Sequence, residues 1–197
     1  QKNIYYITGN NEDDLKNSPL LEMYNEKEIE VLIMDQDIDE FVIPAINKYK
    51  ENSLKSVNLS DAADDLQTDN DKKAEDDIKP LIKKMKTALG GQVKDVKASS
   101  RLKDSPSCIV ADQNDPTAKM QELMKAMGQP GQQDIKPILE INPSHTIIQK
   151  MKGMRKSKSF DDISQLLLDQ AVLREGAKLQ NPTEFVERLN TILSETL

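Results

Sequence analysis

The C-terminal end constrains this chain most. From about residue 160 two amphipathic helical patterns follow one another. The first places Ile163, Leu166, Leu167, Ala171 and Leu173 at helical spacing, widened by Leu168 and Val172. The second puts Phe185, Leu189, Ile192, Leu193 and Thr196 on one stripe. Its start is marked by Asn181 as cap, Pro182 at the first helical position and Glu184 to close a capping box. Stripes this apolar must be covered, either by the rest of the chain or by a second copy in a four-helix bundle. Burying roughly eight large side chains between copies, at about 1.5–3 kcal/mol each, gives about 12–24 kcal/mol. That exceeds much of the association cost of about 4–15 kcal/mol. The expectation is a homodimer with Ile163, Leu166, Leu167, Phe185, Leu189, Ile192 and Leu193 at the contact.

The other end reads differently. Residues 3–8 (NIYYIT) form a β-rich run broken by Gly9 and Asn10. Ser18 and Pro19 are cap and first position of a helical turn. Residues 29–34 (IEVLIM) are nearly all apolar, as in a strand buried on both faces, and a helix is expected over 37–49. Strand–helix–strand–helix order implies a small α/β/α unit with a parallel sheet over residues 1–57.

Residues 58–77 then collect Asp61, Asp64, Asp65, Asp69, Asp71, Glu75, Asp76 and Asp77 against Lys72 and Lys73. So acidic a stretch with few large apolar residues reads as a solvated linker. Beyond it, Ile78, Ile82, Met85 and Leu89 mark a helix face closed by Gly90 and Gly91. Strands are expected over 93–98, 107–112 and 138–141, with Asp104, Ser105 and Pro106 as turn residues, and helices over 116–127, 145–156, 160–176 and 181 onward. Residues 78–197 therefore make an α+β unit with a short sheet and a helical bundle.

Chemistry-bearing patterns are scarce. Gly9 lacks the further glycines, and the Gly-Lys-Ser/Thr string, that a phosphate-cradling loop needs. His145, the sole histidine, sits beside Ser144 at a helix start, where capping or solvent exposure is the plain reading, ahead of metal binding or general-base work. Cys108 lies in an apolar strand and reads as a small buried residue. It has no partner for an internal disulfide, which suggests a reducing compartment and a cytoplasmic location. No Cys/His cluster has zinc spacing. The formal net charge of −7 argues against nucleic acid as a partner. No apolar run nears the roughly 20 residues of a membrane span, so no membrane partner is expected. The chain opens on Gln1, which suggests a piece of a longer protein.

Two features could carry function. Met120, Leu123, Met124 and Met127 fall at i, i+3, i+4 and i+7 of the 116–127 helix, with Lys119, Gln121, Glu122 and Lys125 elsewhere. A core stripe is one reading. An exposed surface that repacks around varied partners is the other, since methionine is adaptable. The basic run Lys150, Lys152, Arg155, Lys156 and Lys158 is either a solvated helix end or a dock for an acidic partner.

Short strings across the chain resemble the ninety-kilodalton heat-shock chaperone family, bacterial HtpG type. They are Gln1-Lys2, Ile4-Tyr5-Tyr6-Ile7-Thr8-Gly9, Lys16-Asn17-Ser18-Pro19, Ile29-Glu30-Val31-Leu32, Ile38-Asp39-Glu40, Arg101-Leu102 with Asp104-Ser105-Pro106, Met120 with Met124-Lys125-Ala126, and Leu166-Leu167-Leu168-Asp169-Gln170-Ala171. The resemblance implies that residues 1–57 end the family's middle domain and that 78–197 form its C-terminal dimerisation domain. It implies no catalytic, cofactor or metal site here. The ATP site and the arginine assisting hydrolysis lie upstream of Gln1 in the family, so only an intact parent would be an ATPase using ATP and magnesium. It further implies unfolded or partly folded client proteins as partners, contacted by Phe41, Met120, Leu123 and Met124, with Met127 on the same stripe, and co-chaperones as further partners. Pro116 departs from relatives that carry an apolar contact there. The terminal Ser194-Glu195-Thr196-Leu197 lacks the Met-Glu-Glu-Val-Asp tail of cytosolic eukaryotic relatives. The rival readings are a small α/β nucleotide-binding enzyme with a helical appendage, and a purely structural dimerisation module.

Overall fold

The computed structural model describes residues 1–128 and 135–196; Leu197, the last residue of the expected terminal helix, lies outside them. The chain opens with β1 (Asn3–Thr8), α1 (Glu12–Lys16), a 3-10 turn (Pro19–Leu21), α2 (Glu22–Glu26), β2 (Val31–Met34) and α3 (Asp39–Ile46). A hairpin of β3 (Lys48–Tyr49) and β4 (Asn52–Ser56) follows. The sheet order is β2-β1-β4-β3, with β1 parallel to both neighbours. The parallel sheet expected from sequence is present. The hairpin was not expected, because the 37–49 helix stops at Ile46. Asn47 closes it in the left-handed region (φ 44°), a conformation that asparagine tolerates better than most residues.

The second part contains α4 (Asp69–Leu89), β5 (Asp95–Ala98), β6 (Ser107–Val110), α5 (Ala118–Ala126), β7 (Ile138–Ile141), α6 (Thr146–Lys152), α7 (Lys158–Arg174) and α8 (Pro182–Thr196). Its sheet runs β5-β7-β6, β7 being parallel to β5 and antiparallel to β6. Every residue of β6 and β7 is buried, and the alternation of strand side chains explains how. Ile109, Leu139 and Ile141 face a core built with Ile78, Met85, Ile148, Phe160 and Leu167. Cys108, Val110 and Ile138 face the other way, into a core with Tyr5, Ile7, Leu20, Met23 and Tyr24 of the first part. The short sheet is thus the middle layer. Helices α4, α6 and α7 cover one face, and the first α/β unit covers the other.

The stretch 58–77 differs from its reading as a solvated linker. Asn58, Ala62 and Ala63 are buried, and Asp69 already begins the long helix α4. The acidic residues have structural uses there. Asp71 and Thr68 form a capping box, which places carboxylates where the helix dipole favours them. Asp65 accepts from Asn3 and the Tyr5 hydroxyl and pairs with Lys55 at 3.0 Å. Asp77 pairs with Lys152. Composition suggested solvation; specific partners override it.

The two parts meet through buried polar groups. Arg101, 1% exposed, donates to Val57 O (2.6 Å), Leu59 O (3.1 Å) and Glu140 Oε1 (3.2 Å), and its Nε lies 3.1 Å from Glu140 Oε2. Burial is the largest single influence and disfavours the Arg101 charge, but the neighbouring groups, the Glu140 carboxylate foremost, together raise its pKa. Glu22 of α2 accepts from the Lys103, Asp104 and Ser105 amides and from the Ser105 hydroxyl. Burial alone would raise its pKa, and these donors together hold it below the usual range. Among the described residues, no helix is long and apolar enough to cross a membrane.

Candidate functional site

Helix α5 is tied to the body at its start. The Thr117 side chain accepts from the Met120 amide (3.1 Å) as the cap and donates to Glu40 Oε2 (2.8 Å). Lys119 pairs with Asp37 (2.6 Å) and donates to Asn10 (2.7 Å). Lys94 holds the preceding loop through Asp112 (2.8 Å) and Asp115 (2.7 Å). Yet no residue of α5 is buried. Its polar side, Ala118, Gln121, Glu122 and Lys125, lines a cavity of about 380 Å³ shared with Gly9, Asn10 and Glu175. At 100° per residue, Met120, Leu123, Met124 and Met127 fall on the opposite side. Met120, Leu123 and Met124 are half-buried and Met127 is 55% exposed, while Ala118, Glu122 and Lys125 are exposed. The apolar stripe is therefore only partly covered: none of its four residues is buried, as they would be on an ordinary core helix, and Met127 is its exposed end.

Phe41 sits on α3 and is 40% exposed, beside the exposed Ile38, Val42 and Ile46. Glu40, next to it, is buried and supplies the link to Thr117. Phe41 and the methionine helix, far apart in sequence, thus lie on neighbouring elements bridged by Glu40–Thr117 and Asp37–Lys119. The sequence reading missed the row Ile38, Val42 and Ile46; its apolar i, i+4, i+8 spacing was the available signal.

The residues expected at the dimer contact divide into two groups. Leu166 and Leu167 are buried within the chain, Leu167 in the core around Phe160, and Ile163 packs against that core. The apolar area of Leu166 and Leu167 is already used, while Ile163 is half-buried. Leu166 and Leu167 thus face the chain's own interior rather than an open surface: α7 lies directly on the short sheet and on α4. On α8, Phe185, Leu189 and Ile192 are half-buried against α7, while Leu193 and Val186, the latter missed from sequence, are about half exposed. Arg188 fastens α8 to α7 through Asp169 (3.5 Å) and Asp162 (3.6 Å).

The other singled-out residues have local accounts. His145 caps α6, its Nδ1 accepting from the Ile147 amide (3.2 Å). Cys108 is 1% exposed, and burial pushes its thiol well up. A Cβ on Gly9 would meet Leu15 Cδ2 at 2.7 Å, so close packing explains this glycine. Among the described residues, no cluster of three His, Cys, Asp or Glu could hold a metal. In the basic run, Lys152 pairs with Asp77, and Lys84 of α4 donates to Met154 O (3.2 Å).

Glu175, under α5, has its pKa pushed up to about 7 by burial, which Arg101 and Arg174 only partly offset. A carboxyl raised in the folded state adds stability below its unfolded pKa and loses it as pH rises through the folded one. Chemical denaturation of the chain is expected to show falling stability from pH 5 to pH 8, with Glu175→Gln flattening that slope. An unchanged slope would contradict this assignment.

The family model described as Hsp90 protein matches residues 1–197. The chaperone protein HtpG of Treponema denticola is 46% identical over 98% of this chain, which covers 31% of that relative. HtpG of Treponema pallidum is 44% identical over the same share of both, and HtpG of Wolinella succinogenes is 40% identical over 100% of this chain and 32% of its own length. The chain thus spans just under a third of the length of these curated relatives. With a family match over the whole sequence, this chain belongs to the Hsp90 protein family.

Proposed function

We propose that the chain is the end of a middle domain plus the C-terminal domain of a cytoplasmic Hsp90-type chaperone, that it forms a homodimer, and that it binds unfolded or partly folded polypeptides. Hydrolysis of ATP belongs to the intact parent, in segments other than this one. One observation carries the client-binding part. Met120, Leu123, Met124 and Met127 of α5 form one apolar stripe of which no residue is buried, and Met127 is 55% exposed. A water-facing apolar stripe costs solvation unless something uses it, and methionine suits many shapes. Four such side chains yield about 6–12 kcal/mol gross, little more than the association cost. Each site is therefore weak and reversible. Two copies in a dimer hold one chain better than either alone. Phe41, on the bridged helix α3, extends the same surface.

Met124→Asp tests this. It is expected to weaken binding to a permanently unfolded client about tenfold or more, the loss of one buried side chain, with the oligomeric state unchanged by light scattering. Equal client affinity in the variant would remove α5 from the binding surface.

A further inference from the structure

A cavity of about 700 Å³ runs around one edge of the short sheet. Strand β5 is that edge, since among the described residues β7 is its one neighbour in the sheet. The Ser99 amide donates to Ile141 O (2.8 Å). In a parallel ladder alternate residues serve the same neighbour, so the amides of Val96 and Ala98 turn away from β7, towards the groove. Val96 bears this out: its amide donates to Asp95 Oδ1 (2.9 Å). Lys86 of α4 holds Asp95 in place at 2.7 Å. A side chain thus blocks one main-chain donor of an open edge, a known means of keeping edges from pairing with other strands. Ala98 has no such guard; its amide has no groove-side partner among the described residues.

The groove suits one kind of occupant. A row of main-chain donors and acceptors is matched by another extended backbone, which adds at about 4.8 Å from the edge. On one side Lys83 and Lys97 carry no ion-pair partner among the described residues. Asp61 and Asp64 on the opposite wall carry none either. An extended segment with an acidic side chain towards Lys97 and a basic one towards Asp64 meets both walls. We propose that the free edge of β5 binds an extended, mixed-charge polypeptide segment as a fourth strand, with Asp95 as a displaceable guard. This site is separate from α5, and the two stand or fall separately.

The probe is a fluorescein-labelled peptide of alternating Thr and Val bearing one Glu and one Lys, followed by anisotropy on the full chain. Asp95→Ala frees the Val96 amide and is expected to tighten binding about threefold to tenfold, the worth of one hydrogen bond. Ala98→Pro removes the outward donor and is expected to weaken it by a similar factor. Proline is compatible with an edge position whose N–H points outward, and circular dichroism checks that the variant is folded. The same peptide N-methylated at alternate amides needs no protein variant and is also expected to bind less tightly. No measurable binding of the probe, equal binding of the methylated peptide, or Asp95→Ala that fails to tighten each overturns the proposal. So does loss of the probe in Met124→Asp, which would put the peptide on α5.

Discussion

Glu140→Ala is expected to destabilise the chain by about 3–5 kcal/mol, the usual cost of stripping one partner from a buried ion pair. Arg101 stays behind, 1% exposed, with a charge that Glu140 had balanced. The effect reaches beyond the pair. Glu140 also accepts from Ser99 Oγ (2.7 Å), while Arg101 holds the Val57 and Leu59 carbonyls. The pair therefore fastens the segment leaving β4 to the middle strand of the second sheet. Urea denaturation gives the number. A loss under about 1 kcal/mol would mean that water reaches the guanidinium and that the two parts are held by their shared apolar core alone. Arg101→Met is expected to be at least as costly, because it strands the buried carbonyls as well.

The second large effect concerns association. Leu193→Asp together with Val186→Asp is expected to raise the dimer dissociation constant more than a hundredfold, leaving monomer at micromolar concentration. Both side chains are about half exposed on α8, so neither change should disturb the fold of one copy. A charge buried without a partner at an interface costs several kcal/mol, and each 1.4 kcal/mol is a factor of ten. Six apolar side chains remain for the contact: Leu173, Phe185, Val186, Leu189, Ile192 and Leu193. A two-fold interface uses each twice. Even at half the full burial value, twelve side chains give about 9–18 kcal/mol, enough to meet an association cost of about 4–15 kcal/mol. Sedimentation or light scattering reads the outcome. A variant that stays dimeric puts the mating face somewhere other than the outer side of α8.

Both expectations depend on which side of a helix is already covered, and here sequence and structure part company. Periodicity marked α5, α7 and α8 equally as amphipathic, because a hydrophobic stripe records only that one face avoids water. It does not say what covers that face. For α7 the cover is the chain itself, which removes Leu166 and Leu167 from the candidate contact. For α8 it is α7 on one side only. For α5 the cover is partial, leaving Met120 and Met124 half-buried and Met127 exposed. Neighbours distant in sequence decide such cases, and a single sequence does not name them.

The acidic stretch makes the same point for charge. Composition assigned 58–77 to solvent, yet Thr68 and Asp71 start a helix, and Asp65 and Asp77 find partners many residues away. Thr68 with Asp71 three residues on was a cap signal that the reading by charge did not use.

By itself the sequence determined the parallel strand–helix order of the first part, the strand β7, the caps of α6 and α8, and the methionine stripe. Each depends on local rules: alternation, helical period, and side chains that bond their own backbone. It also carried the strings that mark the Hsp90 family. Tertiary structure decided that the short sheet is a middle layer with a core on each face, that Arg101 and Glu140 meet across it, that Phe41 and the methionine helix are neighbours, and that β5 keeps an open edge. Those facts come from long-range packing, in which burial of apolar area sets the arrangement and buried charges then demand particular partners.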